Sequence, residues 1–228
     1  MIVQAYGGLA NRLRVLLSYS HVYSFVRPPL MVVWEPNGEI AYGRFQDVFC
    51  GIRGVILADR HPSPDVVTCD PSPASPGDWE VAYTELMLAP AQLSRWVALV
   101  PGEPFTAVHV RRTDHRDYEP ARLDPTRDDE FLAFVETAHH IVFLATDNGT
   151  TQRAYARAIE RTGRRVVTTG VIDEHVHQDA GGQRNTTLAD AAIDLFMCAR
   201  ADEFMGSRHS SFTNAIHTMR RLTGGWWA

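Results

Sequence analysis

Two arginines, a histidine and an aspartate crowd into six positions, His109-Val110-Arg111-Arg112-Thr113-Asp114. A guanidinium is a flat fork of donors that grips a phosphate through two bonds. The apolar run Phe105-Thr106-Ala107-Val108 stands directly before them and reads as a strand. The charges therefore occupy the last strand residues and the loop beyond. Strands of an open α/β sheet point their C-terminal ends at the ligand crevice, where such a cluster would meet an anionic substrate. By strand alternation His109 and Arg111 share one face and Arg112 takes the other. One arginine can then serve a ligand while its neighbour braces the loop. The plainer alternative is a surface ion-pair cluster in which Asp114 neutralises Arg111 or Arg112.

Two more junctions have this character. Gly7-Gly8-Leu9-Ala10-Asn11-Arg12 joins a strand to a helix. Paired glycines let the backbone turn tightly and approach a ligand, and the helix then presents free amides at the positive end of its dipole. The spacing is not G-x-G-x-x-G, so a dinucleotide site is not indicated. An ordinary turn capped by Asn11 is the alternative. Gly206-Ser207-Arg208-His209-Ser210-Ser211 precedes the last helix. Its hydroxyls and free amides suit a phosphate or a sugar, or simply cap the helix through Ser210 or Ser211.

The elements that must position these junctions follow from periodicity. Ile2 to Ala5, Leu30 to Trp34 and Ile52 to Leu57 read as strands, with a helix over Asn11 to Phe25 that Pro28-Pro29 stops. Residues 61–78, rich in Pro, Ser and Asp, form a loop. Pro90 to Val100 reads as a helix closed by Pro101-Gly102-Glu103-Pro104. Beyond it strands are expected at Phe105 to Val110, Ile141 to Ala145, Arg165 to Thr168 and Glu203 to Met205. Helices are expected over Asp128 to Thr137, Thr150 to Thr162, Leu188 to Ala199 and Phe212 to Leu222. This rhythm predicts a doubly wound α/β domain with a parallel sheet. The expected boundary separates a pared-down lobe, 1–104, from a second lobe, 105–228.

Composition bounds the function. The 228 residues are 45% hydrophobic and 21% charged, which fits one larger domain or two small lobes. The net charge of −5 gives no global basic field for nucleic acid or anionic lipid. Any phosphate site must be local. Cys50, Cys69 and Cys198 are odd in number and widely spaced, which argues against a disulfide framework or a zinc site. His175 and His177 lack a third ligand nearby and read as loop residues, so no metal is assigned. Trp226-Trp227 reads as packing the tail. The start reads as a strand rather than a signal peptide, and no stretch approaches a membrane span. A soluble, cytoplasmic protein is expected.

In this order the junctions resemble the fucosyltransferase superfamily of inverting glycosyltransferases, which includes α1,6-, Nod-factor and protein O-fucosyltransferases and has the two-lobed GT-B fold. Gly7 to Arg12 is similar to the family's N-terminal glycine motif, with Ala10 replacing a glycine. His109 to Asp114 matches its H-x-R-R-x-D motif without a gap. Val142-Phe143-Leu144-Ala145-Thr146-Asp147-Asn148 looks like its "LATD" segment. Asp194, Ala201-Asp202 and Ser210-Ser211-Phe212 echo its C-terminal motif. The resemblance implies two Rossmann-like lobes with the N-terminal, acceptor-side lobe reduced and residues 105–228 binding the donor.

It also implies roles. Arg111 holds the donor's β-phosphate. His109 and Asp194 lie near the nucleotide, which the family often reads through a carboxylate. Ser210 and Ser211 lie beside the diphosphate, and Gly8 and Asn11 close over it. The expected donor set is Gly7, Gly8, Asn11, His109, Arg111, Arg112, Asp114, Asp194, Ser210 and Ser211. Glu119, ten residues past the motif histidine, stands at the position of the family's base, and Asp117 competes for that role. No D-x-D pair occurs, so a metal-independent reaction is expected. The co-substrate would be a nucleotide sugar, GDP-fucose first, and the acceptor a glycan or other hydroxyl, with no cofactor and no nucleic acid. UDP- or GDP-linked xylose or a deoxyhexose is the alternative donor. A sugar-nucleotide-binding module without catalysis is the alternative class.

Overall fold

The computed structural model describes residues 2–5, 7–23, 30–35, 37–38, 41–60, 79–112, 126–172 and 186–224. The first half runs β1 (Ile2–Gln4), α1 (Leu9–Tyr23), β2 (Leu30–Val33), the hairpin β3 (Asn37–Gly38) and β4 (Ala41–Tyr42), a 3₁₀ turn Phe45–Asp47, β5 (Val55–Ala58), a 3₁₀ segment Trp79–Glu85 and α2 (Pro90–Leu99). β1, β2 and β5 form a parallel sheet in that order. Strand, helix and adjacent parallel strand make the expected βαβ unit.

α1 is buried around most of its circumference. Leu13, Leu16 and Leu17 are fully enclosed, and Val15 and Tyr19 are also buried. Each such side chain stabilises the fold by about 1.5–3 kcal/mol relative to exposure. So complete a burial needs cover beyond the sheet, and the 3₁₀ segment and the C-terminal helix supply it.

The second half runs β6 (Phe105–Val110), α3 (Asp128–Glu136), β7 (Ile141–Thr146), α4 (Gly149–Glu160), β8 (Arg165–Val167), α5 (Leu188–Arg200), β9 (Glu203–Gly206) and α6 (Ser211–Thr223). Its parallel sheet has the order β8-β7-β6-β9. Every residue of β6 and β7 is buried, as expected where helices cover both faces. Val108, Val110, Val142 and Leu144 pack with Phe131, Tyr155 and Ile159 of α3 and α4. Phe105, Ala107, Ile141 and Phe143 belong to the opposite face and to a cluster that includes α5, α6, α1 and the first sheet. One continuous apolar core thus joins the two sheets. The strand order reverses between β6 and β9, the switch point at which open α/β sheets form their crevice.

The expected elements are present with local shifts. α1 begins at Leu9 because the Gly8 carbonyl already accepts from the Arg12 amide at 3.0 Å. Asn11 therefore lies inside the first turn and is not its cap. The third strand starts at Val55 rather than Ile52. Ile52 packs in the core instead, and Gly54 turns the chain at φ +78° before β5 begins. Asn148 caps α4 by accepting from the Thr151 amide at 2.8 Å, and Thr187 caps α5 through the Asp190 amide at 3.0 Å. The hairpin and the Trp79–Glu85 segment have no counterpart in the sequence reading. Cys50 and Cys198 are free thiols, and Cys69 lies outside the described residues. Among the described residues no helix is long and apolar enough to cross a membrane.

Candidate functional site

The end of β6 is fixed by backbone pairing that continues past β9. The Ser207 amide donates to the His109 carbonyl at 2.9 Å. The Ser207 hydroxyl donates to that same carbonyl at 3.3 Å and accepts from the Arg111 amide at 2.9 Å. Ser207 is buried, so this clamp sets where Arg111 leaves the sheet. His109 pairs in register with Gly206. A Cβ on Gly206 would lie 2.5 Å from Thr213 Cγ2 and 2.6 Å from its Oγ1. The missing side chain lets α6 come close enough for Thr213 Oγ1 to reach His109 Nδ1 at 2.9 Å. Phe212 packs on the imidazole with ring centroids 4.8 Å apart.

Arg112 turns to the other face, as alternation requires. Its guanidinium pairs with Asp128 and donates to Tyr155 Oη at 3.1 Å and to the Thr126 carbonyl at 3.4 Å. It also lies 6.0 Å from the Phe131 ring centroid. The Tyr155 hydroxyl donates to Asp128 at 2.6 Å, and burial with that bond pushes its pKa up. The Arg112 amide donates to Asp147 at 3.2 Å. Arg112 thus ties the loop to α3 and α4 and does not line the cleft described below.

In the first half Gly7 adopts φ +80°, a conformation that favours glycine. Arg12, 3% exposed, donates from Nε to the Gly7 carbonyl at 2.8 Å and from a terminal nitrogen to the Glu35 carbonyl at 2.6 Å. Its guanidinium lies 5.3 Å from the Trp34 ring centroid. Burial lowers its pKa, with Glu35 acting in the opposite sense. One buried cation therefore joins the glycine turn to the end of β2. Arg12 belongs to the glycine motif, but its bracing role appears only once β2 is alongside.

These ends meet in one cleft. Gly8, Leu9 and Ala10 line it from the first turn of α1, Ser211 and Phe212 from that of α6, and Thr187 and Leu188 from that of α5. His109 and Arg111 enter from β6, Thr146 and Asp147 from the end of β7, and Asp194 from α5. Three helix N-termini and an arginine thus face one space, an arrangement that favours a bound anion. The cleft is narrow, about 50 Å³, and open to solvent on one side. Asp194, 4% exposed, has an Oδ1 without a hydrogen-bond partner among the described residues, and so does the buried Thr146 Oγ1. Burial raises the Asp194 pKa well above the usual carboxylate range, while a hydrogen bond with Thr169 acts against it.

Of the expected donor set, Gly8, His109, Arg111, Asp194 and Ser211 line this cleft. Gly7 shapes the turn behind it, and Asn11 packs against Gly7 without lining it. Ser210 is fully buried and caps α6 through the Thr213 amide at 3.4 Å, so Ser211 is the serine at the cleft. Asp114, Asp117 and Glu119 lie outside the described residues, as do His175, His177 and Trp226-Trp227. Thr146, Thr186 and Thr187 are additions. Thr146 sits in a motif already noted, whereas nothing local announces that the start of α5 reaches the same place. No three His, Cys, Asp or Glu side chains among the described residues gather to hold a metal.

No protein-family model and no curated protein matches the chain. The fold, however, is that of solved fucosyltransferases. NodZ α1,6-fucosyltransferase co-crystallised with GDP superposes with a TM-score of 0.60 at 14% identity, over 95% of this chain and 91% of that one. Fucosyltransferase NodZ from Bradyrhizobium gives 0.60 at 15% identity, over 94% and 91%. POFUT1 in complex with GDP gives 0.60 at 13% identity, over 96% and 94%. At such identities the likeness is one of fold.

Proposed function

We propose that this chain is an inverting, metal-independent glycosyltransferase that moves fucose from GDP-fucose to a hydroxyl of a glycan. The observation that carries the reading is the convergence of Arg111 with the starts of α1, α5 and α6 on one cleft. That set suits a diphosphate, whose charge grows as the sugar departs. Structures with this fold are described with GDP and with GDP-fucose, which favours guanine over other bases. Guanine offers an N–H and an amino group to a carboxyl, and Asp194 holds at the cleft an oxygen without a hydrogen-bond partner among the described residues. Uracil offers one N–H between two carbonyls and suits that oxygen less.

In this mechanism the acceptor oxygen attacks the anomeric carbon from the face opposite the diphosphate. The bond from that carbon to the phosphate oxygen breaks, and its electron pair stays on the diphosphate. Arg111 and the helix ends stabilise that charge. The acceptor proton passes to a carboxylate, for which Glu119 is the first choice and Asp117 the second.

Thermal unfolding with nucleotides tests the reading. GDP at about 100 times its Kd adds roughly 2.7 kcal/mol to native stability, a Tm rise of roughly 5–10 °C in a chain of this size. UDP should give little. A larger shift with UDP would exclude the guanine assignment. With GDP-fucose and a glycan acceptor, Glu119→Gln should abolish transfer and preserve the GDP shift. Unchanged transfer would remove Glu119 from the base role.

A further inference from the structure

A second cavity, of about 340 Å³, lies beside the cleft. That size falls within the ~300–1,000 Å³ usual for small-molecule sites. It runs along matching faces of α1 and α6. Ala10 and Arg14 stand one turn apart, and Ser211, Asn214, Thr218 and Arg221 follow one stripe of α6. The Trp79–Glu85 segment closes its side. Ala10 and Ser211 also line the cleft, so the two cavities share a wall.

The lining has two kinds of surface. Trp79 and Tyr83 are buried, with ring centroids 6.0 Å apart and planes inclined at 40°, and they give an apolar strip. Burial pushes the Tyr83 hydroxyl pKa up, so it stays neutral. Around the strip stand Arg14, Asn214, Thr218 and His217, residues that carry a guanidinium, an amide, a hydroxyl and an imidazole. Burial and Arg220 lower the His217 pKa, which keeps that ring neutral at pH 7, with one nitrogen to donate and one to accept. Arg221 is held by Glu80, so those two charges cancel. Mixed donors and acceptors with little net charge, set beside an apolar strip, suit a ligand with hydroxyls on one side and C–H groups on the other. A multiply charged anion would find too few cations here. A purely apolar ligand would leave Arg14 and Asn214 desolvated without partners.

We propose that this cavity is the acceptor subsite and holds a neutral saccharide unit, whose reacting hydroxyl passes the Ala10–Ser211 wall into the cleft. This rests on the glycosyltransferase reading above, and its test separates the two. Asn214 is exposed on α6, so Asn214→Trp fills the cavity without entering the core, and Arg14→Ala removes its donor fork. Tetrasaccharides of glucose, galactose, mannose and N-acetylglucosamine are offered at millimolar concentration, and binding is read by saturation-transfer NMR. GDP thermal shifts are measured in parallel.

At least one tetrasaccharide should bind the unaltered protein and bind each variant at least tenfold more weakly, with the GDP shift unchanged. That unchanged shift also shows that the variants fold. Failure of every tetrasaccharide to bind, or binding indifferent to both substitutions, would overturn the acceptor subsite alone. Loss of the GDP shift in Asn214→Trp at normal Tm would place the nucleotide in this cavity and overturn it too. Saccharide binding by a chain that neither GDP nor UDP stabilises would overturn the glycosyltransferase reading, and the acceptor role with it.

Discussion

Adjacent arginines of identical chemistry have separate duties here because a strand sends alternate side chains to opposite faces. Arg111 lines the cleft, and Arg112 braces the loop against α3 and α4. Arg111→Ala should weaken GDP binding roughly 10–100-fold in calorimetric titration, the worth of a charge-assisted hydrogen bond at about 1.5–3 kcal/mol. Arg112→Ala should lower stability and leave GDP affinity nearly unchanged. The Asp128 side chain is 69% exposed, so the ion pair itself is screened. The loss then comes chiefly from the bonds to Thr126 and Tyr155, about 1–2 kcal/mol in urea denaturation. Asp194 carries a second contrast between stability and binding. Its folded pKa lies above the unfolded value of about 3.9. Between those two values the native state holds a proton that the unfolded chain has released, so stability falls as pH rises across the window. Asp194→Asn has no such titration. It should raise Tm at neutral pH, lose that advantage below about pH 4, and bind GDP more weakly. Parallel Tm curves for the two proteins from pH 4 to 8 would show that this carboxyl is not buried as described.

At the scale of elements the site depends on how closely α6 approaches β9. Gly206 permits that approach, and Thr213 uses it to hold His109. Neither contacting atom of Thr213 can swing far, because both sit on a β-branched carbon. Gly206→Ala should therefore destabilise by about 1–3 kcal/mol, the usual cost of overpacking, and weaken GDP binding through the displaced α6. The same substitution in a Thr213→Ala background should cost less, with the Phe204 ring tip at 2.8 Å as the contact that remains, and a double-mutant cycle in urea reads the difference. Additive effects would contradict the contact. A strand glycine before a polar loop reads in sequence as a turn signal. Its partner lies seven residues on, across a loop and a helix start, and no local pattern joins them.

For the molecule as a whole, the continuous core through α1, α5 and α6 limits how the cleft can open. At about 50 Å³ it is far below the ~300–1,000 Å³ of typical ligand sites, so a nucleotide must widen it. Two lobes sharing one apolar core do not swing apart cheaply. The widening is expected in the first turns of the helices and the adjoining loops. GDP association should then be slowed by the rearrangement it requires and should level off at high GDP in stopped-flow experiments. The radius of gyration in solution scattering should not change. Fast, linear association with a large change in overall size would instead indicate lobes that move as bodies.

Residues near in sequence settled much of this architecture. β6 spans Phe105–Val110, as its apolar run predicts, and α5 and α6 fall within a residue or so of their expected limits. Strand alternation alone separated Arg111 from Arg112, because the direction of a strand side chain depends on parity and on nothing distant. Packing decided the rest. Which of Ser210 and Ser211 faces the cleft depends on where the α6 cap falls. That Asn11 is no cap depends on a carbonyl three residues earlier. That Thr146, Thr187 and Asp194 meet Gly8 depends on α5 and α6 folding back against α1, far away in the chain. Periodicity and capping express forces that act over a few residues, whereas convergence of the helix ends is fixed by how separate faces bury one another.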